Sequence, residues 1–306
     1  MSIPPLLPEA SPRNCQIFGS LSVVIVGSDS ECSIAQKMCS VLRNLRPGDQ
    51  LVTVDNGSTD SSLMAMLEVA EEDSRVLVVH IPRTIDSRAR ARGLRECSGD
   101  YVLWLGLNDE LLDGGVDQIR EAIHSNRFAL AFVMAGSVPA CLPVEAAEKG
   151  GSVPSTELRL AERYLAEELR FPLCTIIWRR TDLGLDPYRF DHGAAEALVL
   201  LSTTLAHPGC MVSAIAPVRP GVKIEPDFVP RRSACKAHVE EAFLQLPSRL
   251  KGLRKRAIAK AYARAGAASK RQGDRVSAML FLLAAFTVDP AAVLAHACGR
   301  TTSKSL

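Results

Sequence analysis

The run Val52-Thr53-Val54-Asp55-Asn56-Gly57-Ser58-Thr59-Asp60 packs oxygen-bearing side chains into a turn directly behind a β-branched strand. A second polar turn, Gly106-Leu107-Asn108-Asp109-Glu110, follows another apolar run. Open α/β sheets bind ligands outside the carboxyl ends of their strands, so two such turns in one parallel sheet make a crevice lined by hydrogen-bonding oxygens. Between the turns lies a segment with Arg88, Arg90, Arg92 and Arg95. Taken singly these features have plain readings: Asn56-Gly57 as a turn, Ser58 or Thr59 as a helix cap, the arginines as a wet helical face.

The elements that must position these residues are readable from periodicity. Leu21 to Val26 is a nearly continuous apolar run, as expected of a strand buried on both faces of a parallel sheet. Ala35 to Leu45 has helical spacing and is stopped by Pro47-Gly48-Asp49. Strand Leu51 to Val54, helix Leu63 to Glu71 and strand Arg75 to Ile81 follow, giving β-α-β-α-β with crossovers of right-handed length. The arginine-rich helix Ser87 to Glu96 leads to a strand at Tyr101 to Leu105, a helix at Asp113 to His124 and a strand at Phe128 to Met134.

Ala135 to Thr156 reads as a long loop, Glu157 to Leu169 as a charged helix and Leu173 to Trp178 as a strand. Gly193 to Leu205 is helical, Met211 to Ala216 a strand, and the proline-rich Pro217 to Pro230 a linker. From Arg232 onward the pattern is helical. Ala257 to Lys270 and Arg275 to Val288 pair across Gln272-Gly273-Asp274, Asp289-Pro290 opens a short last helix, and packing against the main domain is their expected role. The pair is similar to a single tetratricopeptide-like hairpin, not a repeat array.

Composition narrows the classes. The chain of 306 residues is 47% hydrophobic, ample for a core, and its nine cysteines contain no Cys-x-x-Cys, which argues for a reducing cytoplasm over a zinc site or disulfide framework. Residues 1–16 read as a flexible, proline-bearing tail, neither signal nor anchor, and no apolar run reaches the roughly 20 residues a bilayer requires. The net charge of +2 is unevenly spread: residues 1–230 hold 21 basic against 30 acidic side chains, and residues 231–275 hold 13 against 3. That basic block suits an acidic membrane surface, a phosphate or another protein chain. Dinucleotide, Walker, Gly-x-Ser-x-Gly and His-Glu-x-x-His patterns are missing from the sequence, the histidines lack metal spacing, and 5% aromatic content disfavours nucleic acid.

Together, the Leu21 to Val26 strand, the Asp55 to Asp60 turn and Cys97-Ser98-Gly99-Asp100-Tyr101-Val102-Leu103-Trp104-Leu105-Gly106-Leu107-Asn108-Asp109 resemble the family 2 glycosyltransferases of the GT-A fold. The resemblance covers residues 20–135 well and 173–225 loosely. It implies an α/β, GT-A-type, mostly parallel nucleotide-binding sheet flanked by helices, with a C-terminal α-helical segment. Residues 17–135 become the nucleotide-sugar half, 136–230 the acceptor half and 231–306 the basic helical segment. It implies a nucleotide-sugar donor, a UDP-sugar by preference, an unnamed acceptor, and transfer with inversion.

Residue by residue, Val26, Ser28 and Asp29 match the family's first strand end, and Asp55 and Asn56 its acidic pair, where Asn56 departs from the usual carboxylate. Arg90, with Arg88 second, matches the arginine near the diphosphate. The family's Asp-x-Asp falls on Gly106-Leu107-Asn108, so a divalent cation, Mn or Mg, is left with Asn108 and the adjacent Asp109. The general base matches loosely to Glu196, with Asp191 and His192 beside it. Two further readings stay open: a nucleotide-sugar binder that has lost transfer, supported by the missing carboxylates, and an interaction protein working through its basic C-terminal helices.

Overall fold

The computed structural model describes residues 19–126, 129–134, 152–157, 159–165, 172–183, 200–201, 204–221 and 232–294. The expected tail (1–16) and most of the 135–156 loop, the 193–205 helix and the 217–230 linker lie outside these residues. The first part of the chain alternates as read: β1 Leu21–Gly27, α1 Ile34–Leu42, β2 Gln50–Asn56, α2 Ser62–Glu72, β3 Val76–Ile81, α3 Asp86–Arg95 and β4 Tyr101–Leu105. Then come β5 Glu110–Leu111, α4 Gly115–Ser125, β6 Ala131–Met134, β7 Val153–Pro154, α5 Leu160–Leu165, β8 Ile176–Arg179, β9 Cys210–Ser213 and β10 Val218–Arg219. The C-terminal region holds α6 Arg232–Gln245, a 3₁₀ turn at Ser248–Leu253, α7 Arg254–Arg271 and α8 Arg275–Val288.

Among the described residues eight strands form one mixed sheet in the order β3-β2-β1-β4-β8-β6-β9-β7. The block β3-β2-β1-β4 is parallel throughout, so all four carboxyl ends share one edge. β8 runs antiparallel between β4 and β6, and β7 antiparallel to β9. Period-2 alternation sends successive side chains into two separate cores, which is why the central strands read as nearly continuous apolar runs. Val24, Val52, Val54, Val102 and Trp104 face one core, and Val23, Ile25, Leu51, Leu103 and Leu105 face the other. Helices α1, α2 and α4 cover the second face through Met38, Met66 and Ile119.

The first face is covered by α3, α5 and the C-terminal helices. Helix α3 lies close because Gly93 has no side chain: a Cβ there would stand 2.8 Å from Val24 Cγ1 and 2.9 Å from Val54 Cγ2. Val239, Phe243, Leu246, Leu250, Ile258 and Phe281 belong to the same continuous core as Trp178 and Leu160. The C-terminal helices thus pack on the sheet domain. Buried Cys97 and Cys210, whose thiols desolvation pushes up to about 12, serve as inert packing residues.

Three readings of the sequence are corrected. The end of the 135–156 loop contains strand β7, the start of the 217–230 linker contains strand β10, and the strand expected at 173–178 begins with a 3₁₀ turn at Leu173–Thr175. The two short strands depend on partners distant in sequence, which local composition cannot register, whereas the 3₁₀ turn is closed locally by Thr175 N and Oγ1 on Pro172 O. β10 pairs antiparallel with β5, and β7 with the edge of the main sheet.

At the amino edge, opposite the site, the buried Asp49 accepts hydrogen bonds from Leu21 N (2.9 Å), Arg46 N (2.8 Å) and the Arg120 guanidinium. Arg120 is only 13% exposed. Removing one partner of such a pair strands the other charge, so Asp49→Ala is expected to cost about 3–5 kcal/mol in a urea melt.

Candidate active site

Three turns and one loop converge on the carboxyl edge of β3-β2-β1-β4. β1 delivers Ser28 and Asp29, β2 delivers Asp55 to Asp60, β3 delivers His80 and the loop carrying Arg83 and Thr84, and β4 delivers Gly106 to Asp109. The turns are tied together. Asp29 N donates to Ser58 Oγ (3.0 Å), Thr59 N donates to Asp29 Oδ1 (2.8 Å), and the Arg83 guanidinium pairs with Asp29 Oδ2. The Thr59 backbone N–H and the Arg83 guanidinium hold the Asp29 carboxyl below its ordinary range.

A lowered folded value means this tie is complete above the ordinary carboxylate pKa and lost only as pH falls through the lowered one. Arg83 is therefore expected to stay docked at mildly acidic pH. An NMR titration of its guanidinium signal reads this directly, with release confined to more acidic conditions.

Asp55 is fully buried and forms the floor. Its Oδ1 accepts from Ser58 N (3.3 Å) and from the Ser58 hydroxyl, and its Oδ2 lies 2.7 Å from His80 Nδ1. The contact with His80 follows from register, since Asp55 and His80 stand side by side on β2 and β3. His80 covers the carboxylate and leaves 55% of its own side chain in solvent. Asn56, also buried, donates through Nδ2 to Thr84 O (2.9 Å) and accepts at Oδ1 from Thr84 N (2.9 Å). A carboxylate cannot make the first of these bonds, so the departure from an acidic residue at 56 has a local use: it clamps the loop that carries Arg83.

Gly57 permits that clamp. It sits at φ +64°, and a Cβ there would meet Arg83 N at 2.4 Å and Arg83 Cα at 2.8 Å. Gly57→Ala adds left-handed strain to a clash with backbone, and is expected to lower stability by about 1–3 kcal/mol and to displace Arg83 from Asp29, measured by chemical melt and by the loss of the Arg83 NMR signature.

Of the other residues singled out, Val26 and Ser28 are half-buried at the end of β1, Arg90 is half-buried and Arg88 exposed on α3, and Asn108 is exposed at the end of β4. Asp109 is turned inward. Its Oδ2 accepts from Gly106 N (2.7 Å) and its Oδ1 from Gly221 N (2.9 Å), closing the β4 turn onto the segment after β10. Beneath this turn the Lys37 ammonium donates to Asp109 O, and burial lowers its pKa. A divalent cation wants several hard anionic oxygens, whereas this turn presents one amide, a carboxylate bound to backbone on both oxygens, a second carboxylate, Glu110, paired with Arg219, and a lysine. Those residues do not fit a divalent ion. Among the described residues no three carboxylate, histidine or cysteine side chains gather as ligands. Asp191, His192 and Glu196 lie outside the described residues.

Sequence reasoning passed over His80, Arg83, Thr84 and Lys37. Lys37 alone carried a local signal, a cation inside the apolar stripe Ile34, Met38, Val41 of α1. The others are brought in by strand register and by a loop crossing, which have no local signature.

The family model described as Glycosyl transferase family 2 matches residues 22–177. An uncharacterized glycosyltransferase of Haemophilus influenzae is 31% identical over 91 residues, which is 29% of this chain and 36% of that protein. The chain therefore matches about a third of that curated relative's length. Among solved structures, S. aureus TarS in complex with UDP-GlcNAc superposes with a TM-score of 0.62 at 16% identity, covering 90% of this chain and 82% of that one. Mannosyltransferase PcManGT of Pyrobaculum calidifontis, in complex with GDP-Man and Mn2+, gives 0.51 at 16% identity, covering 93% and 80%. At such identities these likenesses show a common α/β architecture, with its mostly parallel sheet, flanking helices and C-terminal helices.

Proposed function

The chain belongs to glycosyl transferase family 2, and from that premise we propose that it moves a sugar from a nucleoside diphosphate donor, a UDP-sugar by preference, to a nucleophile on its acceptor, with inversion at the anomeric carbon. One observation carries this reading: the carboxyl ends of four parallel strands bring Asp29, Asp55, His80, Arg83 and Asn108 to a single edge.

In this reading the nucleoside lies across the β1 and β2 ends, over the Asp55 floor, in contact with His80, Ser28 and Asp29. Carboxylate and imidazole can exchange hydrogen bonds with base and ribose. The diphosphate lies toward Arg83, Arg88 and Arg90, whose guanidinium groups pair with phosphate oxygens. Because the β4 turn does not fit a divalent ion, charge on the leaving diphosphate falls to these arginines. The acceptor oxygen bonds to the anomeric carbon as the bond to the β-phosphate oxygen breaks, and the diphosphate departs with that electron pair. The acceptor proton passes to a carboxylate, for which Glu196 and Asp191 are the candidates from the sequence. The scattered cysteines support a cytoplasmic setting. Among the described residues no helix is long and apolar enough to cross a membrane.

A second reading has a specific observation behind it. Asp109 accepting from two backbone N–H groups is also what a donor-binding protein that had lost transfer would look like. Calorimetric titration with nucleoside diphosphates and nucleotide-sugars, in manganese, magnesium or chelator, tests the donor site common to both. Binding that persists in chelator and weakens in Arg83→Ala supports the metal-independent version. Binding strictly dependent on manganese contradicts it.

A further inference from the structure

Helix α8 is apolar on two opposite sides. One side, Ala278, Phe281 and Ala285, is buried against α7, where Gly266 lets the backbones approach and Tyr262 meets Phe281 at 6.3 Å between ring centroids. The other side presents Val276, Met279, Leu280, Leu283 and Phe286 at helical spacing, with Leu282 at its margin, and these side chains are 36–67% exposed. No charged residue occurs from 276 to 288. A helix apolar all round is normally buried all round, and helical hairpins of this kind bury such a face by stacking on a neighbour.

We infer that this face is the contact between two copies of the chain, α8 packing antiparallel on α8 of the partner about a twofold axis near Leu283. The uncovered side chains offer roughly 600 Å² per copy, about 1,200 Å² in a pair, which reaches the lower bound of specific interfaces and stands at the upper end of the apolar patches found on ordinary monomers. The ends of the helix supply the direction. At its start the capping Asp274 is turned onto Ser277 N and Arg275 is exposed, and half-buried Asp289 closes it, so antiparallel packing sets each arginine beside the other copy's Asp289, while parallel packing sets arginine beside arginine and Asp289 beside Asp289. An uncharged face is self-complementary, as a twofold interface requires. Among the described residues from 270 onward the cations, Lys270, Arg271 and Arg275, cluster at one end of the stripe; a lipid surface would instead be met by cations along its flanks.

Sedimentation velocity on the full chain at micromolar concentration tests this. The wild type is expected at twice the chain mass. Leu283→Glu, a change at an exposed position that leaves the fold intact by circular dichroism, should be monomeric, with association at least about tenfold weaker because two carboxylates then face each other at the axis. Arg275→Asp should weaken the dimer, and adding Asp289→Arg should restore it. A wild type monomeric at every concentration overturns the inference, as does a dimer indifferent to Leu283→Glu. A monomer that instead co-sediments with phosphatidylglycerol vesicles overturns it in favour of a lipid surface.

Discussion

Asp55→Ala is expected to abolish the thermal shift that a nucleoside diphosphate induces in the wild type. The carboxylate is wholly buried and takes hydrogen bonds from Ser58 on one oxygen while facing His80 with the other. Ser58 in turn accepts from Asp29 N, so the floor, the β1 end and the β3 end all lose their common partner in one substitution. Leaving these groups unsatisfied costs about 1–3 kcal/mol, which lowers the melting temperature of the unliganded variant without unfolding it at room temperature. The absent shift is therefore read against the variant's own unliganded melt. Asp55→Asn separates charge from shape: it keeps an oxygen for Ser58 but loses the anion facing His80, and should retain the fold with a weakened shift. An unchanged shift in Asp55→Ala would remove the crevice at this edge from consideration.

Deletion of residues 231–306 is expected to leave a chain that does not fold, with no separable nucleotide-binding domain recovered. Val239, Phe243, Leu246, Leu250 and Ile258 are buried in the core that also holds Trp178, Leu160, Val24 of β1 and Val52 and Val54 of β2. Each such side chain contributes roughly 1.5–3 kcal/mol on burial, so together they are of the order of 10 kcal/mol, as large as the whole net stability of a typical domain. Soluble expression and far-UV circular dichroism measure the outcome. A soluble truncation that still binds nucleotide would show that the helices are an appended module, and would return weight to their serving only as a basic docking segment.

Much of the sheet was legible because its central strands are buried on both faces, which makes β1, β2 and β4 mostly apolar runs, broken only by Ser22 and Thr53 in their interiors, with turn residues at their carboxyl ends. The boundaries of β4 and α8 coincide with the expected ones, and α1 ends earlier, at Leu42. What was not legible is made by long-range pairing. Two-residue strands β5 and β10 carry no periodicity of their own, and the inward turn of Asp109 is set by Gly221, more than a hundred positions away. The same holds inside the site. Asp55 stood out as an oxygen-rich turn residue, but its contact with His80 is a consequence of strand register, and the bond of Asn56 to Thr84 a consequence of loop placement. Read from the sequence, Asn56 is a nucleotide-binding residue that departs from the usual carboxylate; the structure adds its bonds to Thr84, which clamp the β3–α3 loop.

The most direct test is release of nucleoside diphosphate from a panel of nucleotide-sugars by the purified full chain, offered a crude glycan extract as acceptor, with and without manganese. Release from one donor, retained in chelator and absent in Asp55→Ala, is the expected result. A chain that binds a nucleoside diphosphate but releases it from no donor under either condition would contradict transfer.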